Sequence, residues 1–326
     1  MHMPVSVVTI VKNRTDKLCR LISQLEAGTD KPSELIVVWM APPSELSLMK
    51  SDHFDIVHKF TTQQTLPIAR ARNKGMLAAT YDTILYVNVE AIIAPTLVGD
   101  GVRKLASNSI VFTSVKCVPE DLCRSSYNQL KRSHIALSTG DRSSNDDMTF
   151  LENVIGNQQN QEINYGKFSN DSICSTVFFI RKTDFEKTGG FDESYTGFGL
   201  NDEDFFTTCR HLRLQLVQLE TVTFVPERLT YRCPLNHLLD FVSNAQRFHH
   251  KWGFYPCNAV LKRYAALGYI NNDFETQGLH VKHLPSEEEM RSSSKEKRAR
   301  FKKFHHTAQN EVTILPTSKR ALEPIA

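Results

Sequence analysis

The stretch "LPIARARNKGMLAATYDTILYVNVEAIIAP", residues 66–95, predicts a helix, a strand and the start of a second helix in close succession. The helix is expected over 68–79, and the β-branched and aromatic run "TILYVNV" (83–89) is typical of a buried strand. Pro95 suits the first turn of the next helix. Strands that alternate with helices of this length indicate an α/β fold with a mostly parallel sheet.

The same alternation continues towards both ends of the chain. Further strands are predicted at 5–11, 34–40, 54–60, 109–115 and 173–181, with candidates at 214–220 and 221–227, and further helices at 16–26, 236–253 and 258–268. Between about 119 and 170 the apolar periodicity is lost, which predicts loops around a short helix. The expected architecture is a doubly wound sheet flanked by helices, with C-terminal helices and a mobile tail.

This pattern divides the chain into four segments. Residues 1–118 form the predicted nucleotide-sugar-binding half, 119–172 the variable loops, 173–284 the acceptor or catalytic half with its helices, and 285–326 a mobile basic tail.

Composition excludes several classes of protein. The 326 residues carry a formal net charge of only +3, which favours no polyanionic partner. Seven cysteines, an odd number without a C-x-x-C pair, suit a reducing cytosol better than a disulfide framework or a zinc site. We therefore expect a cytoplasmic protein.

No signal peptide or transmembrane segment is predicted. The start has no basic region followed by an apolar one, and no apolar run reaches the ~18–20 residues of a transmembrane segment. The basic run "KEKRARFKK" (295–303) contains one aromatic residue, so nucleic acid is not an expected partner, whereas peripheral membrane contact stays open.

Three segments should meet where a ligand binds. An open parallel sheet binds ligands beyond the carboxyl ends of its strands. That edge should bring together the residues from Thr9 to Arg14, Trp39 with Met40, and the triplet Asn88-Val89-Glu90. The glycine-rich dinucleotide fingerprint and the P-loop are absent, which argues against NAD enzymes and kinases.

Six segments together resemble one family. They are "VSVVTIVKNR", "ELIVVWM", "LPIARARNKG", "ILYVNVE", "GGFDESYTGFGLNDEDFF" and "NAQRFHHKWGFYP". In this order they resemble bacterial family-2 glycosyltransferases of the GT-A fold, and more closely the branch whose C-terminal half is galactosyltransferase-like. The resemblance covers roughly residues 4–270 and implies a nucleotide sugar as one partner.

The resemblance places the family's Asp-x-Asp motif on Asn88 and Glu90. In the family these carboxylates hold a divalent cation, Mn²⁺ or Mg²⁺, that neutralises the nucleotide diphosphate. Here Glu90 is the candidate metal ligand, while Asn88 offers a neutral oxygen that could instead accept from a ribose hydroxyl. Both could also simply end a strand. Thr9, Arg14 and Trp39 complete the expected nucleotide-sugar site.

Arg70, Arg72 and Asn73 match the family's "ARN-G" helix start, where arginine approaches the diphosphate. A solvated helix face explains them equally well.

The segment "GLNDEDFF" aligns with the family's Gly-Gly-Glu-Asp-x-Asp-Phe. Asp202 falls on the expected general base, which takes the proton from the acceptor hydroxyl. Asn201 and Asp204 are assigned to the acceptor side, although Asp204 could also serve the start of a helix.

The chain also departs from the family. A histidine-rich segment that supplies a metal ligand corresponds here to Val225-Pro226-Glu227-Arg228, so a divalent metal is doubtful. Glu227 could replace the ligand, or Arg228 could neutralise phosphate without metal.

Two functions remain. The first is an inverting transferase that moves a hexose from a nucleotide diphosphate sugar, with UDP as candidate, to a glycan or lipid-linked acceptor. The alternative is a catalytically degenerate relative that acts as a binding or scaffold protein. The first requires Glu90 and Asp202 to face one cleft.

Overall fold

The computed structural model describes residues 3–43, 48–61, 67–132, 176–226 and 235–290. The strands are β1 Val5–Val11, β2 Glu34–Trp39, β3 Asp55–Phe60, β4 Thr83–Val87, β5 Ser109–Val118, β6 Val177–Arg181 and β7 Gln215–Pro226. The helices are α1 Thr15–Glu26, α2 Ile68–Leu77, α3 Leu97–Lys104, α4 Lys182–Thr188, α5 Asn201–His211, α6 Leu238–Trp252, α7 Asn258–Ala266 and α8 Phe274–Gln277.

The strands form one seven-stranded sheet in the order β3-β2-β1-β4-β6-β5-β7. The pairs β1–β2, β2–β3, β1–β4 and β5–β7 are parallel, and β6 runs antiparallel to both β4 and β5. The predicted α/β class with a mostly parallel sheet is confirmed. Strands from both predicted halves of the chain contribute to this sheet.

The sheet is covered on both faces because its central strands are apolar on both sides. In β1, Val7 and Val11 belong to one buried cluster and Val8 to the other. Leu18 of α1 and Leu97 of α3 pack into the first cluster. The second cluster takes its helical residues from α2, α4 and α5, among them Ala69, Met76, Phe185 and Phe205. This arrangement is the doubly wound architecture that the continuous apolar strands predict.

A third buried cluster holds the C-terminal helices. Phe241 and Phe248 of α6 pack with Leu261 and Tyr264 of α7. The two amphipathic helices predicted here are present, and Gly253, which has a φ of +79°, caps the C-terminus of α6. Residues 291–326, most of the predicted tail, lie outside the described residues.

The structure joins the two strand candidates 214–220 and 221–227 into the single strand β7. On the partner strand β5, Thr113 pairs with Leu219 but the next residue, Ser114, pairs with Val222. A β-bulge thus absorbs Glu220 and Thr221 without a turn, because an irregularity of this kind bends a strand and leaves it continuous.

The described helices are not membrane-spanning: none of them combines the length and apolarity needed to cross a bilayer.

Substitution by alanine is predicted to have different effects on stability at two glycines of α3, Gly99 and Gly101. A Cβ on Gly101 would lie 2.0 Å from Cζ of the fully buried Phe179, whereas one on Gly99 would meet the exposed carboxylate of Asp30 at 2.2 Å. Alanine gains up to about 1 kcal/mol of helix propensity at either position. Overpacking a buried ring costs about 1–3 kcal/mol, whereas a surface carboxylate can rotate away.

We therefore expect Gly101→Ala to lower the free energy of unfolding and Gly99→Ala to leave it unchanged or raise it, as measured by urea denaturation. An equal loss in both variants would show that the contact with Phe179 is not the cause.

Candidate active site

The carboxyl ends of β2, β1 and β4 lie side by side, because these parallel strands are neighbours in the sheet. Their last residues are Trp39, Val11 and Val87. We call this the carboxyl edge. Arg14, at the N-terminus of α1, and the triplet 88–90 follow directly from it. The sequence predicted this convergence.

At the carboxyl edge, Arg14, Asn88 and Glu90 form what we call the Glu90 corner. Glu90 is 7% exposed, and its carboxylate forms an ion pair with the Arg14 guanidinium. The Asn88 carboxamide oxygen accepts the backbone N–H of Glu90 at 3.0 Å, and Arg20 donates to the carbonyl oxygen of Glu90 at 3.0 Å. Both residues predicted for the metal or the ribose thus have protein partners.

Asp202, Arg72 and Tyr86 form a second group, the Asp202 cluster. The Asp202 carboxylate, in the first turn of α5, is ion-paired with Nη1 of Arg72. Arg72 is 7% exposed at its side chain, whereas Asp202 is 33% exposed. Nε of Arg72 donates to the Tyr86 hydroxyl at 3.2 Å, and its guanidinium lies 4.9 Å from the ring centre of Phe191. A buried cation therefore holds a carboxylate that remains accessible.

The environment of Arg72 favours its charged form. Burial alone lowers the pKa of Arg72, but the Asp202 carboxylate and the Tyr86 hydroxyl outweigh it, so that its pKa is raised. Arg72 was predicted to face a diphosphate. The structure instead places it beneath Asp202, where it stays cationic and fixes the orientation of that carboxylate.

Asp204 lies inside the protein. It is 1% exposed and accepts hydrogen bonds from Trp252 Nε1 at 2.8 Å, Lys251 Nζ at 2.9 Å and the Tyr195 hydroxyl at 3.1 Å. Burial and the nearby carboxylate raise the pKa of Tyr195. These contacts join α5 to α6, so the carboxylate assigned to the acceptor from sequence has its bonds to the protein itself.

Asn201, the other residue assigned to the acceptor, is the first residue of α5. Its carboxamide oxygen is buried and has no hydrogen-bond partner among the described residues. That oxygen is an acceptor for which a hydroxyl group would be a suitable partner.

Arg70 and Asn73 bind the turn that follows α4. Arg70 donates to Glu193 at 2.8 Å, and Asn73 exchanges hydrogen bonds with the backbone of Phe191, each of 2.8 Å. A Cβ on Gly190, whose φ is +77°, would lie 2.7 Å from the Asn73 oxygen. This turn lines an open cavity of about 610 Å³ together with Lys251 and Trp252 of α6. Both side chains, predicted to approach the diphosphate, thus bind the protein itself at this turn.

Thr9 and Trp39 are core residues in the structure. Thr9 is fully buried on β1, and its hydroxyl has no partner among the described residues. Trp39 is 2% exposed, and its Nε1 donates to Nδ1 of His58 at 3.0 Å. The indole therefore fills space beneath the carboxyl edge, and neither of these two residues predicted for the nucleotide-sugar site is exposed to a ligand.

Comparison with known proteins decides the family. A model described as "Glycosyltransferase like family 2" matches residues 6–267. The chain belongs to the glycosyltransferase-like family 2. The resemblance to family-2 glycosyltransferases is confirmed, and with it the glycosyltransferase that the sequence favoured over a degenerate relative. No curated protein sequence matches the chain.

One solved structure supports the GT-A fold of this glycosyltransferase. The S. aureus TarS fragment 1–349 is 13% identical, with a TM-score of 0.53 over 84% of this chain and 75% of that one. Pyrobaculum calidifontis mannosyltransferase PcManGT, in complex with GDP-Man and Mn²⁺, is 13% identical over 95% and 81%, with a TM-score of 0.46.

The catalytic domain of Drosophila β1,4-galactosyltransferase 7, in complex with xylobiose, is 13% identical with a TM-score of 0.40, over 67% of this chain. The chain spans 65% of that domain's length. The TarS match carries the fold assignment.

The described residues do not fit the divalent cation that the family implies. Within the described ranges there is no group of three or more His, Cys, Asp or Glu side chains that could hold a metal ion. The Glu90 carboxylate is paired with Arg14, and the Asn88 oxygen is engaged by a backbone N–H. Glu227 and Arg228, the predicted substitutes, lie outside the described residues.

Several residues of these groups were not found from the sequence. Tyr86 could have been noticed as an aromatic residue with a polar tip in an otherwise aliphatic strand. Arg20 and Gln24 stand four apart on α1, and Gln24 binds the backbone of Ala91 and Ile93 just beyond the Glu90 corner. A polar pair at this spacing marks one helix face. Nothing in the sequence around Lys251 and Tyr195 indicated that they would belong to these groups.

Proposed function

We propose that this glycosyltransferase moves a hexose from a nucleotide diphosphate sugar, with UDP as the candidate nucleotide, to a hydroxyl group of a glycan or lipid-linked acceptor, with inversion at the anomeric carbon. The observation that carries the proposal is the environment of Asp202: its carboxylate is accessible to solvent and is ion-paired with the buried Arg72. Arg72 in turn binds Tyr86 of β4, the strand that leads to Asn88 and Glu90.

In the proposed reaction Asp202 accepts the proton of the acceptor hydroxyl as its oxygen attacks the anomeric carbon. The bond between that carbon and the diphosphate oxygen breaks, and the leaving group departs with the electron pair. Attack opposite the leaving group inverts the anomeric centre in a single displacement. In such a reaction, positioning of the reactants and neutralisation of the leaving group's charge account for most of the reduction in the activation barrier.

Asp202 is favoured over its neighbours by exposure and by partners. Asp204 is 1% exposed and has three donors within the protein. Glu203 accepts a hydrogen bond from the Cys257 thiol at 3.4 Å. Asp202 combines access to solvent with a fixed orientation, the two properties that a positioned base needs.

The second candidate is a degenerate relative that keeps the fold without transfer. It is favoured by the Glu90 corner, where the expected metal ligand is paired with an arginine.

Thermal unfolding with nucleotides separates the two candidates. If the chain binds a nucleotide diphosphate, a concentration 100 times Kd stabilises it by about 2.7 kcal/mol, a rise of several degrees in Tm. We expect this rise with UDP or GDP, and donor-dependent sugar transfer of inverted configuration by NMR. A Tm unaffected by every nucleotide diphosphate, in EDTA and in Mn²⁺, would support the degenerate relative.

A further inference from the structure

The Glu90 corner carries two arginines at the place where the family expects a cation. Arg14 is ion-paired with the Glu90 carboxylate, and Arg20 donates to the Glu90 carbonyl oxygen and also to the carbonyl oxygen of Cys123. Both groups of Glu90 that could bind a metal, carboxylate and carbonyl, therefore already face a guanidinium.

A divalent cation would meet repulsion and few ligands here. It would have to displace Arg14 from Glu90 and then sit beside Arg20, and like charges at short range disfavour each other. A hard cation also needs several oxygen ligands, and affinity rises with the number of anionic ones. Asn88 is neutral and its oxygen accepts the Glu90 backbone N–H. In the described part of the chain no group of three or more His, Cys, Asp or Glu side chains that could hold a metal ion compensates for this.

Arg14 is placed to meet an anion. It stands three residues beyond the end of β1, at the carboxyl edge, and 41% of its side chain is exposed. Asn13, just before it, has a φ of +53°, a left-handed conformation that Asn tolerates better than most residues and that turns the chain between β1 and α1. A guanidinium has five N–H donors, and a carboxylate engages at most two of them in a bidentate pair.

We propose that Arg14 takes the place of the divalent cation: held by Glu90, its guanidinium binds the diphosphate of the donor and neutralises the leaving group, so that donor binding is independent of metal. The proposal rests on the proposed function for the identity of the donor. Glu90 is then a positioning residue and not a metal ligand. A fixed guanidinium stabilises the negative charge of a departing diphosphate through donors that are already oriented.

Calorimetric titration of the full chain tests this with two probes, UDP and inorganic pyrophosphate, each in EDTA and in Mn²⁺. For the wild type we expect binding in EDTA with an affinity for UDP that Mn²⁺ changes less than threefold. Arg14→Gln should weaken binding of both probes about 10- to 100-fold, the loss typical of charge-assisted hydrogen bonds. Arg14→Lys should fall between, because it keeps the charge and loses the planar fork.

A matched control is Arg103→Gln. Arg103 is an exposed arginine paired with Asp100 in the last turn of α3, a helix that leads away from the carboxyl edge to the start of β5. Arg103→Gln removes the same charge from a similar ion pair, and it should leave the affinities for UDP and for pyrophosphate unchanged. Glu90→Gln releases Arg14 but also removes a negative charge beside the proposed diphosphate, so it should change UDP binding in EDTA by less than Arg14→Gln does. If Glu90 were instead a metal ligand, Glu90→Gln would weaken UDP binding only in Mn²⁺.

The outcomes separate the two proposals. UDP binding that appears only with Mn²⁺ and is lost in Glu90→Gln would overturn the role of Arg14 while leaving the transferase intact. Arg14-dependent binding of pyrophosphate without binding of any nucleotide would uphold the phosphate site and overturn the proposed donor. Equal affinities in the wild type and Arg14→Gln, or no binding of either probe, would overturn the inference. Circular dichroism of each variant verifies the fold.

Discussion

Asp202→Asn is expected to lower kcat by about 10²–10⁴-fold, the contribution of a positioned general base. The carboxamide has nearly the same shape and its oxygen can still accept from Arg72, but it cannot take the acceptor proton. The dissociation constant of the donor should stay within about threefold, because Asp202 acts on the acceptor side. Steady-state transfer with saturating donor, together with calorimetry of donor binding, measures both quantities.

Glu203→Gln is the matched control for this variant. It makes the same chemical change one position further along α5, at a side chain that accepts a hydrogen bond from the Cys257 thiol. Its kcat should remain within a few-fold of the wild type. The base assignment is wrong if Asp202→Asn keeps full activity, or if it loses donor binding and kcat to the same extent. A thermal melt of each variant verifies that the assay temperature lies below unfolding.

The strand-by-strand architecture could be predicted because it depends on local patterns. β1 and β2 are apolar at nearly every position, so burial on both faces follows from the sequence alone. The place of Asn88 and Glu90 after β4 follows equally from the end of an apolar run. The bulge in β7 could not be predicted, because it depends on the register with β5 and not on the composition of either strand.

The direction of the side chains was harder to predict than their position in the chain. Arg72 was expected to face a phosphate, yet it stands three residues after Ala69 and four before Met76, both of them buried. That spacing puts it on the inner face of α2, a signal in the sequence that the charge of arginine hid. Arg70 and Lys74, also four apart, share the exposed face.

The Glu90 corner lay beyond prediction for a different reason. Arg14 and Glu90 are 76 positions apart, and their pairing depends on how two loops meet at the carboxyl edge. Local periodicity carries no information on such a contact. The same holds for Asp202 and Arg72, whose contact joins helices from the two predicted halves of the chain. Family resemblance pointed to candidate residues, and the structure supplied their partners.

Asp204→Ala is expected to lower the free energy of unfolding by about 3–5 kcal/mol, the range for breaking a buried charge network. The change leaves the Trp252 N–H and the Tyr195 hydroxyl without their acceptor, and each unpaired buried group costs about 1–3 kcal/mol. Lys251 loses less, because its side chain is 37% exposed and also contacts Asp192 at 3.3 Å. Urea denaturation followed by tryptophan fluorescence measures the loss.

Asp16→Ala separates burial from helix polarity. Asp16 also lies in the first turn of its helix, α1, so both carboxylates meet the same kind of helix dipole, but the Asp16 side chain is 74% exposed. Removing it should cost under about 1 kcal/mol. Asp204→Asn should fall between the two alanine variants, since its amide can accept from Trp252 but presents N–H groups to Lys251. Similar losses for Asp16→Ala and Asp204→Ala would mean that the helix dipole, and not the buried contacts between α5 and α6, makes Asp204 important. A loss of transfer in Asp204→Ala at temperatures where it remains folded would instead support the acceptor-side role that the family resemblance assigned to this carboxylate.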